Sequence, residues 1–259
     1  MNYPTLSDLN SKSIVPVSGG RKSVDSGNVA VMVSSDQDFK NIRSNSLKPV
    51  VSNFYLSSLL TDKDKICFAG PYIGAPYGVV LLESLIAKGF SKILILGWCG
   101  SISDKLKAGD IIIPSGAISD EGSSQHYIDF KGLYSTIKPS SSLSGFLKEK
   151  LCEKNIDFVN EKIWTTDAIY RETPEKVGFF KDKGAFAVEM ECSALFAAAQ
   201  YRKIEIASLL VVSDEIKLSG SHGKWIPGFG KKEFKLARKK ACKLIREIAM
   251  KINQKNQGA

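Results

Sequence analysis

From Asn28 onward, short runs of apolar and β-branched residues alternate with stretches whose apolar positions recur at helical spacing. Val29–Val33 (VAVMV), Lys65–Ala69 (KICFA) and Lys92–Leu96 (KILIL) read as buried strands, the last closed by a glycine turn from Gly97 to Gly100. Asp110–Ile113, Lys162–Thr165, Ala185–Val188 and Ile206–Val212 continue the series. Between them, Ala75–Lys88 carries Val79, Leu82, Leu85 and Ile86 on one face, and Gly89 ends it as a C-terminal cap. Ser140–Lys154 reads as a surface helix, and Met190–Tyr201 as a helix rich in Ala and Leu.

Near-continuous apolar strands separated by helices predict an α/β fold with a mostly parallel or mixed sheet covered on both faces. No linker, repeat or low-complexity block divides the chain after Asn28. The expectation is one domain over residues 28–259, behind a polar leader over residues 1–27. In such folds ligands gather at the carboxyl ends of the strands, so the residues after each strand are the candidates for chemistry.

Charge modifies this picture only at one end. The formal net charge is +9, and ten Lys/Arg against two Glu between Lys231 and Lys255 account for +8 of it. The same segment carries Phe234, Ala237, Ala241, Leu244, Ile248 and Ile252 at helical spacing. An amphipathic helix with a solvated basic face explains both facts, so nucleic acid is not the expected partner. No apolar run approaches the ~20 residues that span a bilayer, and the N-terminus lacks the pattern of a signal peptide. The five cysteines are widely spaced with no CxxC. Reduced core thiols and a cytoplasmic location are expected, without a metal site.

Four segments that follow strands could carry chemistry. Gly70 opens Gly-Pro-Tyr-Ile-Gly-Ala-Pro, a turn in which backbone can approach a ligand. Trp98 lies in Gly-Trp-Cys-Gly, where packing and ligand contact are both open. In Val188-Glu189-Met190-Glu191-Cys192 two carboxylates flank a methionine before an apolar helix. Acids there can complement the helix dipole, or a buried carboxylate can accept from a sugar diol. Ser213-Asp214 follows the apolar run LLVV, where the Asp is either an N-cap or an acid at work.

Taken in order, GPYIGAP, ILILGWCGSIS, AISDEGSSQHY, WTTDAIY, AVEMECSALF and LLVVSDE resemble the nucleoside phosphorylase superfamily over residues 28–255. That group includes hexameric purine nucleoside phosphorylases, uridine phosphorylases and methylthioadenosine-type nucleosidases. The resemblance implies a three-layer α/β/α sandwich around a mixed sheet, a homo-oligomer (dimer or hexamer), and a nucleoside as small-molecule partner. It implies that Glu191 grips the ribose hydroxyls, with Met190 packed under the sugar and Glu189 beside it. Asp214 would protonate or hydrogen-bond the leaving base, next to Ser213. Cys99, Gly100, Val188, Ile169 and Tyr170 would border the base. Cleavage of a ribosyl C–N bond passes through a cation-like sugar and needs a proton on the leaving group.

The nucleophile is where the chain departs from that pattern. Phosphorylases of the group hold phosphate, here a potential cosubstrate, with arginines and a Gly-Asp-Pro first turn. This chain has Ser34-Ser35-Asp36-Gln37-Asp38 there, with Asp38 in an arginine's place, Ile95 in another's, and Ser52 near that of a neighbour-donated one. The expectation is a phosphorylase with a rebuilt anion site and phosphate as nucleophile; the alternatives are a nucleosidase whose Asp38, ahead of Asp36, activates water, and a nucleoside-binding relative without turnover. Arg171 and His126 stand in segments that border the pocket in relatives, and could contact an anionic substrate.

Overall fold

The computed structural model describes residues 8–17, 27–130, 132–219 and 222–257. Most of the expected leader, residues 1–7 and 18–26, therefore lies outside the described residues.

The central strands are β1 (Val29–Val33), β4 (Cys67–Gly70), β5 (Lys92–Ser101) and β11 (Glu205–Ser219). They pair in parallel in the order β4-β1-β5-β11. Every residue of β1 is buried, and its alternate side chains divide between two apolar cores. Ala30 and Met32 point to one core, where α2 (Ala75–Ala87) and α5 (Cys192–Arg202) pack. Val29, Val31 and Val33 point to the other, beneath α1 (Asp36–Ser44), α3 (Ser141–Glu153) and α6 (Lys232–Gln257). A strand with two buried faces has no polar alternation to show, which is why its sequence reads as an unbroken apolar run. Helices on both faces make the three layers.

The sheet is mixed. The hairpin β2 (Val50–Phe54) and β3 (Ser57–Thr61) adds antiparallel strands at one edge. Towards the other side run β10 (Ala185–Glu189), β9 (Lys162–Thr166), β7 (Gly116–Asp120) and β8 (Thr136–Ile137). The short β6 (Ile111–Ile112) pairs with β11, and α4 (Pro174–Asp182) covers a third apolar cluster around the fully buried Trp164.

The C-terminal helix follows the expected pattern. Phe234, Ala241, Leu244, Ile248 and Ile252 are buried, and Arg246 pairs with the buried Asp62. Likewise Leu143, Leu147 and Leu151 seat α3 on the core. Among the described residues no helix is long and apolar enough to cross a membrane. All five cysteines are free thiols, four of them buried.

Two strands run further than their apolar segments. Gly97 to Gly100 is not a turn: β5 continues through it to Ser101, because β11 continues alongside. β11 in turn passes Val212 and folds back antiparallel onto β12 (His222–Pro227). Neighbouring strands satisfy the backbone there, so polar residues that would otherwise read as loop remain extended.

Candidate functional site

The carboxyl ends of β1, β5, β10 and β11 open onto one cavity of about 970 Å³. Its wall includes Cys99, Gly100, Ile169, Tyr170, Val188, Glu189, Met190, Glu191, Ser213 and Asp214, residues from four separate parts of the sequence. Trp98 joins them. Ten of the expected sugar and base residues therefore share one space.

The register of β11 against β5 aims Asp214. Val212 pairs with Cys99 and Asp214 with Gly100, which leaves Ser213 as the extra residue of a bulge. Gly100 suits this approach, since a Cβ there would lie 3.0 Å from Asp214 Oδ2 and press on the carboxyl. Both carboxyl oxygens of Asp214 have partners: Ser213 Oγ at 2.5 Å from Oδ1, and Trp225 Nε1, which donates to Oδ2 at 2.8 Å. Ser213 Oγ also donates to the Cys99 carbonyl at 3.1 Å.

The two glutamates flanking Met190 divide their work. Glu189 is buried and accepts from Thr165 Oγ1 at 2.5 Å and from the amides of Glu191 and Cys192, each at 2.8 Å. It thereby caps the N-terminus of α5 and fixes the backbone that carries its neighbour. Its oxygens are engaged inside the protein, and it also lines the cavity. Glu191 lines the cavity beside it. Its Oε1 accepts from the Gly74 amide at 2.6 Å, across the strand-to-helix turn before α2. Burial, and then the charge of Glu189, push its pKa up to about 8. A carboxyl in that state can accept from or donate to a sugar diol.

Several wall residues carried no signal in the sequence. Glu172 lies at the cavity with its pKa raised to about 7, by burial and by the charge of Asp214. Tyr72 is buried against the cavity, and its hydroxyl has no hydrogen-bond partner among the described residues. Trp225 and Phe229 come from the β12 segment and the turn after it. Of these, only Tyr72 sits inside a segment singled out by motif. The hairpin containing Trp225 follows no apolar alternation.

Other expected residues lie elsewhere. Asp38 does not line the cavity. It is 1 % exposed, paired with Arg238 at 2.8 Å, and it accepts from Trp98 Nε1 at 2.5 Å. Its two oxygens face a guanidinium and an indole, and the side chain is no part of the cavity wall. Asp36, two residues earlier, does line the cavity, and pairs with Lys40 at 2.6 Å. Arg171 and His126 are exposed and outside the wall. Gly70 ends β4, where a Cβ would meet the Val33 carbonyl at 2.2 Å, so its role is close strand packing. Among the described residues no cluster of His, Cys, Asp and Glu is arranged to hold a metal ion.

Known proteins share this architecture. A purine nucleoside phosphorylase from Toxoplasma gondii superposes with a TM-score of 0.77 at 18% identity, over 94% of this chain and 100% of that one. An AMP nucleosidase from Bacteroides thetaiotaomicron gives 0.67 at 18% identity, over 88% and 92%. By sequence, a guanosine phosphorylase of Halorubrum lacusprofundi is 25% identical over 219 residues, 83% of each chain. An uncharacterised protein of Acanthamoeba polyphaga mimivirus is 32% identical over 150 residues, a match that spans 57% of this chain and 56% of that one. A DeoD-type purine nucleoside phosphorylase of Mycoplasma genitalium is 32% identical over 152 residues, 57% and 62% of the two chains. The family model of the phosphorylase superfamily matches residues 28–250, from the first strand through most of the last helix. The chain belongs to the phosphorylase superfamily.

Proposed function

We propose that this protein cleaves the N-glycosidic bond of a nucleoside, and that water rather than phosphate receives the ribosyl group. The ribose lies against Glu191 and Met190, and the base against Asp214, Ser213 and Gly100. Asp214 supplies the proton that the departing base needs, a contribution of typically ~10²–10⁴-fold for a well-placed acid. Glu191 holds the sugar diol and stabilises the positive charge that grows on the ring.

The observation that carries the choice of acceptor is the lack of cationic donors in the wall. Among the described residues that line the cavity are Asp36, Glu172, Glu189, Glu191 and Asp214, and no Lys, Arg or His. A phosphate dianion needs charge-assisted donors, and none lines this wall. Arg238, whose guanidinium lies 5.0 Å over the Trp98 ring, is already neutralised by Asp38. Of the two first-turn acids, Asp36 is the one that reaches the cavity and can orient a water.

A phosphorylase remains the second reading, on one observation. Ser34 and Ser35 line the cavity at the N-terminus of α1, where hydroxyls and helix amides favour an anion. We further propose assembly with copies of itself, since Ile73, Ile169 and Tyr170 stand exposed on the cavity wall. Light scattering after size exclusion tests that assembly.

The reaction is tested by incubating the protein with purine and pyrimidine nucleosides, with and without inorganic phosphate, and following free base, ribose and ribose 1-phosphate. Base release with ribose in the absence of phosphate is expected. Strictly phosphate-dependent release of ribose 1-phosphate would sink the water reading and leave the bond assignment standing. Binding without release from any nucleoside would sink both.

A further inference from the structure

The base-side acid is held by a residue that the chain brings from a different strand. The register of the β11–β12 hairpin sets Asp214 against Pro227 and Ile216 against Trp225. Asp214 and Ile216 project from the same face of β11, so Trp225 stands diagonally across from Asp214, within reach of a long side chain. At the base of this hairpin Gly228 packs so closely that a Cβ would lie 2.4 Å from both the Ser213 carbonyl and Ala108. Backbone contact there fixes β12 over the bulge that carries Ser213. Trp225 nevertheless keeps 58% of its surface exposed, with Phe229 6.4 Å away and Trp98 6.1 Å beyond it along one wall.

We propose that Trp225 is the positioning residue for Asp214: its indole N–H, 2.8 Å from Oδ2, sets the rotation of the carboxyl without adding charge. The inference rests on the reading above that Asp214 faces the leaving base. Its chemistry follows from counting protons. An indole N–H only donates, so the lone pair of Oδ2 that faces Trp225 cannot carry the acid's proton. Ser213 Oγ has one proton and two neighbours that can accept it, the Cys99 carbonyl and Asp214 Oδ1. A proton on Oδ1 satisfies both bonds at once, with Ser213 donating to Cys99 and accepting from Asp214. A guanidinium or ammonium in place of the indole would orient the same carboxyl but place a full positive charge beside it, which the indole does not.

The test compares base release by the wild-type protein and by Trp225→Phe, Asp214→Asn and the double variant. Phenylalanine keeps the ring and loses the N–H. The expected result is a fall in kcat of about tenfold for Trp225→Phe with KM within about twofold, the upper end of what one neutral hydrogen bond contributes. The double variant is then no slower than Asp214→Asn alone, because the indole acts only through the acid. A kcat within twofold of wild type, a loss confined to KM, or independent losses that multiply in the double variant would each overturn the proposal. Should the wild-type protein release no base from any nucleoside, the parent reading fails, and indole fluorescence decides the contact separately. Asp214→Asn must then change the emission of the wild-type protein and leave that of Trp225→Phe unchanged; an unchanged wild-type emission overturns it.

Discussion

The Gly74 amide donates to Glu191 Oε1 at 2.6 Å, joining residues 117 positions apart at the mouth of α2. One oxygen of the glutamate is thereby fixed by backbone, and the carboxyl is presented to the cavity with its pKa pushed up to about 8. The fold therefore favours the neutral form of a group that an unfolded chain ionises near the ordinary glutamate value of 4.5.

The consequence for stability has a definite sign. Between about 4.5 and about 8 the native state binds more protons at Glu191 than the unfolded state, so stability falls as pH rises through that window. Melting temperatures from pH 5 to 8.5 should decline less steeply for Glu191→Gln than for the wild type. Parallel curves would contradict the assignment.

Ligand binding draws on the same proton. A ribose diol donates to Glu191 and favours its charged form, so binding near pH 7 should release a fraction of a proton. Titration calorimetry of a nucleoside in two buffers of different ionisation enthalpy reads this release directly. Glu191→Gln should abolish it and weaken binding by about tenfold or more, the loss of a charge-assisted hydrogen bond.

Glu172 senses the charge of Asp214. The charge of Asp214 contributes to holding Glu172 at about 7, after burial. Asp214→Asn removes that charge, and the Glu172 carboxyl should then titrate at lower pH. Carbon-13 NMR of labelled glutamate side chains follows it without any need for turnover. An unmoved titration would mean that the two carboxyls do not sense one another.

The rate of base release should fall by ~10²–10⁴-fold in Asp214→Asn, with a much smaller change in KM, because an amide cannot supply the proton. A loss confined to KM would make Asp214 a binding group.

Asp38 should behave as a structural residue. Its side chain is 2% exposed and that of Arg238 12%, so Asp38→Ala strands a guanidinium next to Trp98. Breaking a buried pair by removing one partner costs about 3–5 kcal/mol. Urea unfolding should show that loss, and the folded fraction should lose less activity than Asp214→Asn. A variant as stable as wild type but inactive would return Asp38 to the chemistry.

How much of this was legible differs by element. The buried strands and amphipathic helices were read from periodicity, because a fully buried strand and a one-sided helix each leave a clear hydrophobic pattern. β5 beyond Leu96 and β11 beyond Val212 were not, since Gly97–Gly100 and the polar hairpin are held extended by neighbours rather than by their own preferences. α1 and α4 were missed as short polar helices, although Ser35 and Thr173 cap them with side-chain hydrogen bonds.

The site divides along the same line. By itself the sequence determined the strand-and-helix alternation, the family resemblance, and ten residues that come together at the cavity, each lying late in a strand or just after one. Tertiary structure decided what spacing along a chain cannot. Asp36 and Asp38 stand two positions apart, about 200° around a helix of 3.6 residues per turn, so one meets the cavity and the other meets Arg238. Likewise Glu189 and Glu191 are two positions apart, yet one accepts from the amides that begin α5 and the other from the Gly74 amide before α2. Trp225 reaches Asp214 only because a hairpin folds back across the sheet. Which of two neighbouring carboxylates does chemistry depends on the direction each side chain takes, and packing against distant residues sets that direction.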